Sequence, residues 1–173
     1  NISRFSNTQN KVNETDFSAN HPYHVALQQF STGIWSPGEV DRWFYERARG
    51  QFEVARIREG TTPAQKRNFD QRTPKSQKFD KVMVAKAENT WLQLPHIVSL
   101  GGQKNFVQFM DELDKKHTGK LPSEEDYRNL IAKIILFKRA EKAARDHKFA
   151  AYRANAVTYT VASLVYRTNG RID

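Results

Sequence analysis

The stretch most loaded with chemistry runs Trp43-Phe44-Tyr45-Glu46-Arg47-Ala48-Arg49-Gly50-Gln51-Phe52, where aromatic rings interleave with two arginines. A guanidinium forks onto phosphate oxygens or stacks on an aromatic face, and rings set among cations hold single-stranded nucleic acid. On that reading Arg47 and Arg49 meet phosphates while Trp43 or Tyr45 stacks. The plainer reading places Trp43 and Tyr45 in a core and pairs Glu46 with a nearby basic side chain.

Ser3 to Lys11 is dense in amides and hydroxyls, with Asn7, Gln9 and Asn10 at its centre. Such side chains pair with base edges, or they hold backbone groups in a polar turn. Gly101-Gly102 stands before an apolar-periodic run and next to Lys104. Backbone N–H groups at such a start suit an anion, though a glycine turn demanded by packing is the simpler account. The spacing of a phosphate-binding loop is missing.

Other chemistry finds little support. His21 and His24 are separated by Pro22 and Tyr23, the remaining His96, His117 and His147 are scattered, and no metal site is expected. Asp114-Lys115-Lys116 matches the acid-x-Lys half of a metal-dependent nuclease, but no companion acid on a strand goes with it. Neither a nucleophile elbow nor a dinucleotide fingerprint occurs. No catalytic constellation or cofactor motif is visible. With no cysteine, disulfides, thiolate metal sites and cysteine nucleophiles are excluded.

The chain of 173 residues has the length of one domain. Its aromatic content of 12% supplies enough apolar surface to argue against disorder. No apolar run approaches the ~18–20 residues of a membrane span. Asn1 to Asn20 lacks the apolar core of a signal peptide, so a cytoplasmic portion of a longer protein is expected. The formal charge is +9, and its excess is concentrated between Arg56 and Lys86, where nine basic residues face Glu59, Asp70 and Asp80. Residues 56–80, with Pro63, Pro74 and Thr-rich turns, read as a basic, loop-rich connector within a single region spanning 1–173. The charge is either a solvated face or an electrostatic footprint for phosphates or an acidic partner.

The elements that must position these groups are mostly helical. Ser123 is an N-cap followed by Glu124, Glu125 and Asp126 in the first turn, and apolar residues recur from Tyr127 to Phe137. A helix over Glu124–Asp146 follows. Gln103–Lys116 is a second, and Asp80 caps a third running to Leu92 and stopped by Pro95. Pro22 opens another, and one more spans Gly50 to Arg58. Phe149–Tyr166 reads as a buried helix ended by Gly170, with the β-formers Thr158 to Val161 keeping a strand as the alternative. Trp43 to Tyr45 reads as a short strand or turn. The expected fold is mainly α, a multi-helix bundle with room for a short strand pair near the N-terminus.

Asn7-Thr8-Gln9-Asn10-Lys11-Val12-Asn13 with Asp16-Phe17, the Trp43–Phe52 block, the Lys81–Trp91 helix, and Lys104-Asn105-Phe106 stand in one order along the chain. Ala132-Lys133, Phe137-Lys138 and Tyr152-Arg153-Ala154-Asn155 with Val157-Thr158-Tyr159 continue it. In these blocks the sequence resembles the AIPR family, the abortive infection phage resistance proteins. The resemblance implies a middle-to-C-terminal portion of a longer bacterial phage-defence protein. It also implies that Asn7–Asn10 and Glu46–Gln51 line a shared site; it carries no catalytic residue across.

Three functional readings follow. The first is contact with DNA or RNA through the arginine–aromatic block and the basic stretch. The second is a structural module docking an acidic partner, such as a phage protein or a companion subunit. The third is part of a nuclease whose remaining groups lie upstream.

Overall fold

A computed structural model of the chain describes residues 20–116, 121–146 and 153–169. Eight helices and one two-stranded sheet appear there: α1 (Pro22–Gly33), β1 (Phe44–Glu46), α2 (Gln51–Glu59), α3 (Pro63–Arg72), a 3-10 turn (Lys75–Gln77) and β2 (Lys78–Asp80) come first. α4 (Lys81–Trp91), α5 (Pro95–Ser99), α6 (Gly102–Lys116), α7 (Glu124–Asp146) and α8 (Arg153–Asn169) complete the series. The fold is mainly α, with the strand pair near the N-terminus as expected. Among the described residues no helix is long and apolar enough to cross a membrane.

The strands pair in parallel, with Phe44 opposite Lys78, Tyr45 opposite Phe79 and Glu46 opposite Asp80. A parallel pair cannot be closed by a tight turn and needs a crossover of a dozen or more residues. That crossover is the α2–α3 hairpin. Residues 56–80 are therefore not loop-rich, as the prolines and threonines suggested. Pro63 sits in the first turn of α3, and Thr62 and Gln65 form a reciprocal capping box there.

Three apolar clusters hold the elements. The main one joins α1, the sheet, α4, α6 and α7 through Leu27, Tyr45, Phe79, Val84, Phe106, Phe109, Tyr127, Leu130 and Ile134. A separate cluster of Phe44, Phe52, Ala55 and Phe69 fixes the hairpin to β1. Phe137 with Val157, Val161 and Val165 seats α8 on α7. The valine spacing buries one helical stripe, so the β-formers of this segment are helical through tertiary packing. The expected start at Phe149 and the stop at Gly170 lie outside the described residues.

Local signals act as read at two helix starts. Asp80 Oδ1 accepts from the Met83 N–H at 2.9 Å and caps α4. At α7 the Ser123 Oγ accepts from the Asp126 N–H at 3.2 Å, and Asp126 Oδ2 accepts in return from the Ser123 N–H at 2.8 Å. Pro95 behaves otherwise: it opens α5 rather than only ending α4. Gly101 has φ +102°, which favours glycine, and a Cβ on Gly102 would meet Val82 Cγ1 at 3.1 Å. Both glycines thus have local structural reasons at the start of α6.

Candidate functional site

The Trp43–Phe52 block is the joint between the main core and the hairpin. Tyr45 is 1% exposed and packs in the main cluster, while Phe44 and Phe52 belong to the hairpin cluster. The Tyr45 hydroxyl shares a hydrogen bond of 2.6 Å with His24 Nδ1. Burial, and then the Tyr23 and Asp80 charges, hold the Tyr45 phenol well above its usual range, so it stays a neutral hydroxyl. His24 stacks on Tyr45 and Phe106. Burial first, then the positive charges of Lys81, His21 and Arg47, push its pKa down to about 3. It is a neutral core histidine.

Glu46 works on the backbone of the turn. Its Oε1 accepts from the N–H groups of Gly50 at 3.1 Å and Phe52 at 3.3 Å, and its Oε2 takes the Lys78 ammonium at 2.7 Å. Gln51 Oε1 accepts from the Ala48 N–H at 3.0 Å. Gly50 caps α2 at φ +86°, a conformation that a side chain would strain. Arg47 donates to Gln28 Oε1 and Asn20 Oδ1, tying the turn to α1. Trp43 is half-buried, with the Lys138 ammonium 5.1 Å from its ring centroid. That ammonium donates to the carbonyls of Ser76 and Lys78 and so clamps the 3-10 turn and β2 to α7. Burial lowers the Lys138 pKa.

The sequence-derived candidates thus fall into three groups. Tyr45, Glu46, Arg47 and Gln51 make the internal contacts just described, and Trp43 packs against the main core. Arg49, at the tip of the turn, and Lys104, on α6, are exposed. Asn7, Gln9 and Asn10 lie outside the described residues. Among the described residues, Glu46 and Arg47 brace one turn.

A different arginine–aromatic constellation forms beside the joint. Trp35, in the loop after α1, carries two guanidiniums over its ring: Arg42 at 5.0 Å and Arg72 at 4.3 Å from the centroid. Arg42 is fully engaged: Nε donates to Thr73 Oγ1, Nη1 to the Thr32 carbonyl and Nη2 to Glu59 Oε2. Arg72 is exposed, and its side chain makes no hydrogen bond or ion pair among the described residues. Asn68 and Arg72 line a cavity of about 110 Å³ with Trp35, Gln65, Phe69, Thr73 and the Arg42–Glu59 pair. Arg49, Arg67 and Lys75 are exposed on the same crossover or its ends and form no ion pair among the described residues, whereas Arg56 is bound to Asp70. Sequence reasoning missed Trp35 and Arg42, because they stand in a polar loop with no periodicity and meet Arg72 only through the crossover.

Among the described residues no group of three His, Asp or Glu side chains could hold a metal ion. His21 Nε2 and Asp114 Oδ1 lie 3.2 Å apart across α1 and α6, which takes Asp114 into a surface contact.

Neither a curated protein nor a solved structure matches the chain. The Trp43–Phe52 block, its glycine at a left-handed cap and its glutamate on the turn amides are one ordered set of residues with one structural purpose. They fall within a family match that extends over residues 1–173, the whole chain, and the chain belongs to that family, described as AIPR protein.

Proposed function

We propose that this AIPR chain serves phage defence by contacting the phosphate backbone of nucleic acid through the exposed face of the α2–α3 hairpin. Family membership carries the phage-defence role. The observation that carries the nucleic-acid reading is Arg72. Its guanidinium carbon is 4.3 Å from the centre of the Trp35 ring, it has no carboxylate partner among the described residues, and it lines a cavity together with Asn68. A guanidinium already ordered on an indole loses little freedom when it forks onto a phosphate. Arg49, Arg67 and Lys75 add charge that attracts a polyanion over a Debye length. In this arrangement the family block acts as the hinge plate of the hairpin, and the phosphates are met next to it.

The test is fluorescence anisotropy with labelled single- and double-stranded DNA and RNA between about 50 and 200 mM salt. The Arg67→Glu, Arg72→Glu double variant should bind at least about tenfold more weakly and lower the salt slope by about two. Equal binding by the variant would remove the hairpin face from the interface.

A second reading is favoured by Val54 and Ile57, which are 64% and 63% exposed on α2. Apolar side chains among cations suit an acidic protein partner. Under that reading no nucleic acid binds even at low salt, and Val54→Ser with Ile57→Ser abolishes capture of the partner.

A further inference from the structure

α7 carries a second run of cations, and the fold sets it against the end of the hairpin. Arg139, Lys142 and Arg145 are exposed on its C-terminal half, and their side chains make no hydrogen bond or ion pair among the described residues. The helix dipole accounts for a cation in the last turn, as at Arg145, and its effect fades within that turn. Arg139 and Lys142 stand ahead of it. Residues 138–146 hold four cations against Glu141 and Asp146, a net +2.

The position of the run follows from Lys138. Residues four and seven apart share one helix face, so Lys142 and Arg145 continue the stripe that Lys138 begins, and Arg139 adjoins Lys142 at the i, i+3 spacing. The Lys138 ammonium donates to the Ser76 carbonyl at 2.6 Å and the Lys78 carbonyl at 2.9 Å. Ser76 lies in the 3-10 turn that ends the α2–α3 crossover, and Lys75, exposed, is the first residue of that turn. The clamp therefore sets Lys75 at the start of the α7 stripe. From Lys138 to Arg145 the stripe covers about 10 Å of helix axis, the advance of about three base-pair steps.

We propose that Arg139, Lys142 and Arg145 extend the phosphate-contacting face of the hairpin, so that one nucleic-acid backbone passes from Arg67 and Arg72 over Lys75 onto α7. The extension rests on the nucleic-acid reading of the hairpin and fixes the form of the partner. That partner is a polynucleotide long enough to touch both elements, not a mononucleotide or a lone phosphate group beside Trp35. Contacts to phosphates position a strand without reading its bases, so the stripe adds affinity and no sequence preference.

The test is fluorescence anisotropy of the full chain with a labelled strand of about 20 nucleotides and the matching duplex, between about 50 and 200 mM salt. Arg139→Gln with Lys142→Gln should bind at least about fivefold more weakly at the low-salt end and lower the salt slope by about one to two. Its melting curve should not move, since both side chains are exposed. Lys142→Ala alone should bind a few-fold more weakly. Combining it with Ala143→Lys moves the same charge about 100° round the helix at constant composition, and the affinity should stay as low as in Lys142→Ala. Full affinity in the Arg139, Lys142 variant, while Arg67→Glu with Arg72→Glu loses binding, would end the track at the hairpin; the extension would fall and the hairpin reading would stand. Recovery of full affinity in the Lys142→Ala, Ala143→Lys variant would make net charge the cause and overturn the track as well. A strand of about four nucleotides that binds as tightly as the long one would overturn it too, because one run of cations would then suffice. Loss in the α7 variant with none in the hairpin variant would overturn the track and the hairpin reading together, as would absence of binding by the unaltered chain at low salt.

Discussion

The hairpin face and the groove of about 600 Å³ between α1, α4, α6 and α7 are built from the same side-chain types, aromatic rings and charged heads, yet they differ in sign and in support. At the hairpin, Trp35 carries guanidiniums, and the crossover that presents them rests on its own small cluster of Phe44, Phe52, Ala55 and Phe69. At the groove, Trp91 and Tyr23 are set among carboxylates. One face rests on a satellite cluster of four buried residues. The other is framed by helices of the main cluster. The molecule thus separates a basic hairpin face from a groove lined by carboxylates, with the Trp43–Phe52 joint between the two clusters.

The largest effects should separate the two supports. Phe69→Ala removes a buried ring from the hairpin cluster, and losses of this kind cost about 3–5 kcal/mol. The expected outcome is fast amide exchange across α2 and α3 and weakened nucleic-acid binding, with slow exchange across α4 and α7 retained. Ile134→Ala, in the main cluster, should cost about 2–5 kcal/mol and speed exchange across α4 and α7. Equal exchange across α4 and α7 in the two variants would show that the hairpin is not an independent unit.

The same division explains what was legible in the sequence. Helices with local signals could be read: Asp80 and Ser123 cap where their types predict, and the stripe from Tyr127 to Phe137 buries as its spacing requires. α3 was legible in principle from Thr62, Pro63 and Gln65, but threonine and proline also punctuate loops, and its single buried residue, Phe69, gives no stripe. β2 was not legible, since three residues acquire strand geometry only by pairing with β1. Arg47 and Tyr45 have the residue types of a ligand site; that Gln28 and His24 engage them depends on α1 lying alongside. The groove depends on side chains from four helices and has no signature along the chain.

Acid should weaken the bundle that frames the groove. His24 has an unfolded value near 6.5 and a folded value of about 3. Below pH 6.5 the unfolded chain takes up a proton that the folded chain refuses, so stability falls as pH is lowered through that window. One such group removes about 2 kcal/mol between pH 7 and pH 5. Urea denaturation at the two pH values measures it, and His24→Gln, which does not titrate, should flatten the difference. An unchanged pH slope in that variant would assign the acid sensitivity elsewhere.

A smaller change acts on the groove alone. Lys133→Met leaves Glu88, 18% exposed in its side chain, without the ammonium 2.8 Å from it, at a cost of about 1–3 kcal/mol. Adding Glu88→Gln to it should restore part of that loss, because an uncharged amide tolerates the site. Urea denaturation of the single and double variants measures both. A double variant as unstable as Lys133→Met would assign the loss to the contact of the ammonium with Trp91, 5.4 Å from the ring centroid, rather than to the stranded carboxylate.

The smallest effect belongs to the hairpin and tests sign without touching a core. Asp70 accepts from Arg56 Nε at 2.6 Å and Nη2 at 2.8 Å, which holds its carboxyl below the usual range. The pair is open to solvent, so its removal should leave the melting curve almost unchanged. Asp70→Asn nevertheless releases a guanidinium beside the cations of α3 and raises the charge of the face by one. Nucleic-acid affinity should rise about two- to fivefold at low salt, with a salt slope steeper by about one, and the gain should vanish at high salt. If Asp70→Asn instead weakens nucleic-acid binding, the forked bridge is needed to hold α3 against α2 in the binding geometry, and shape rather than charge governs that face.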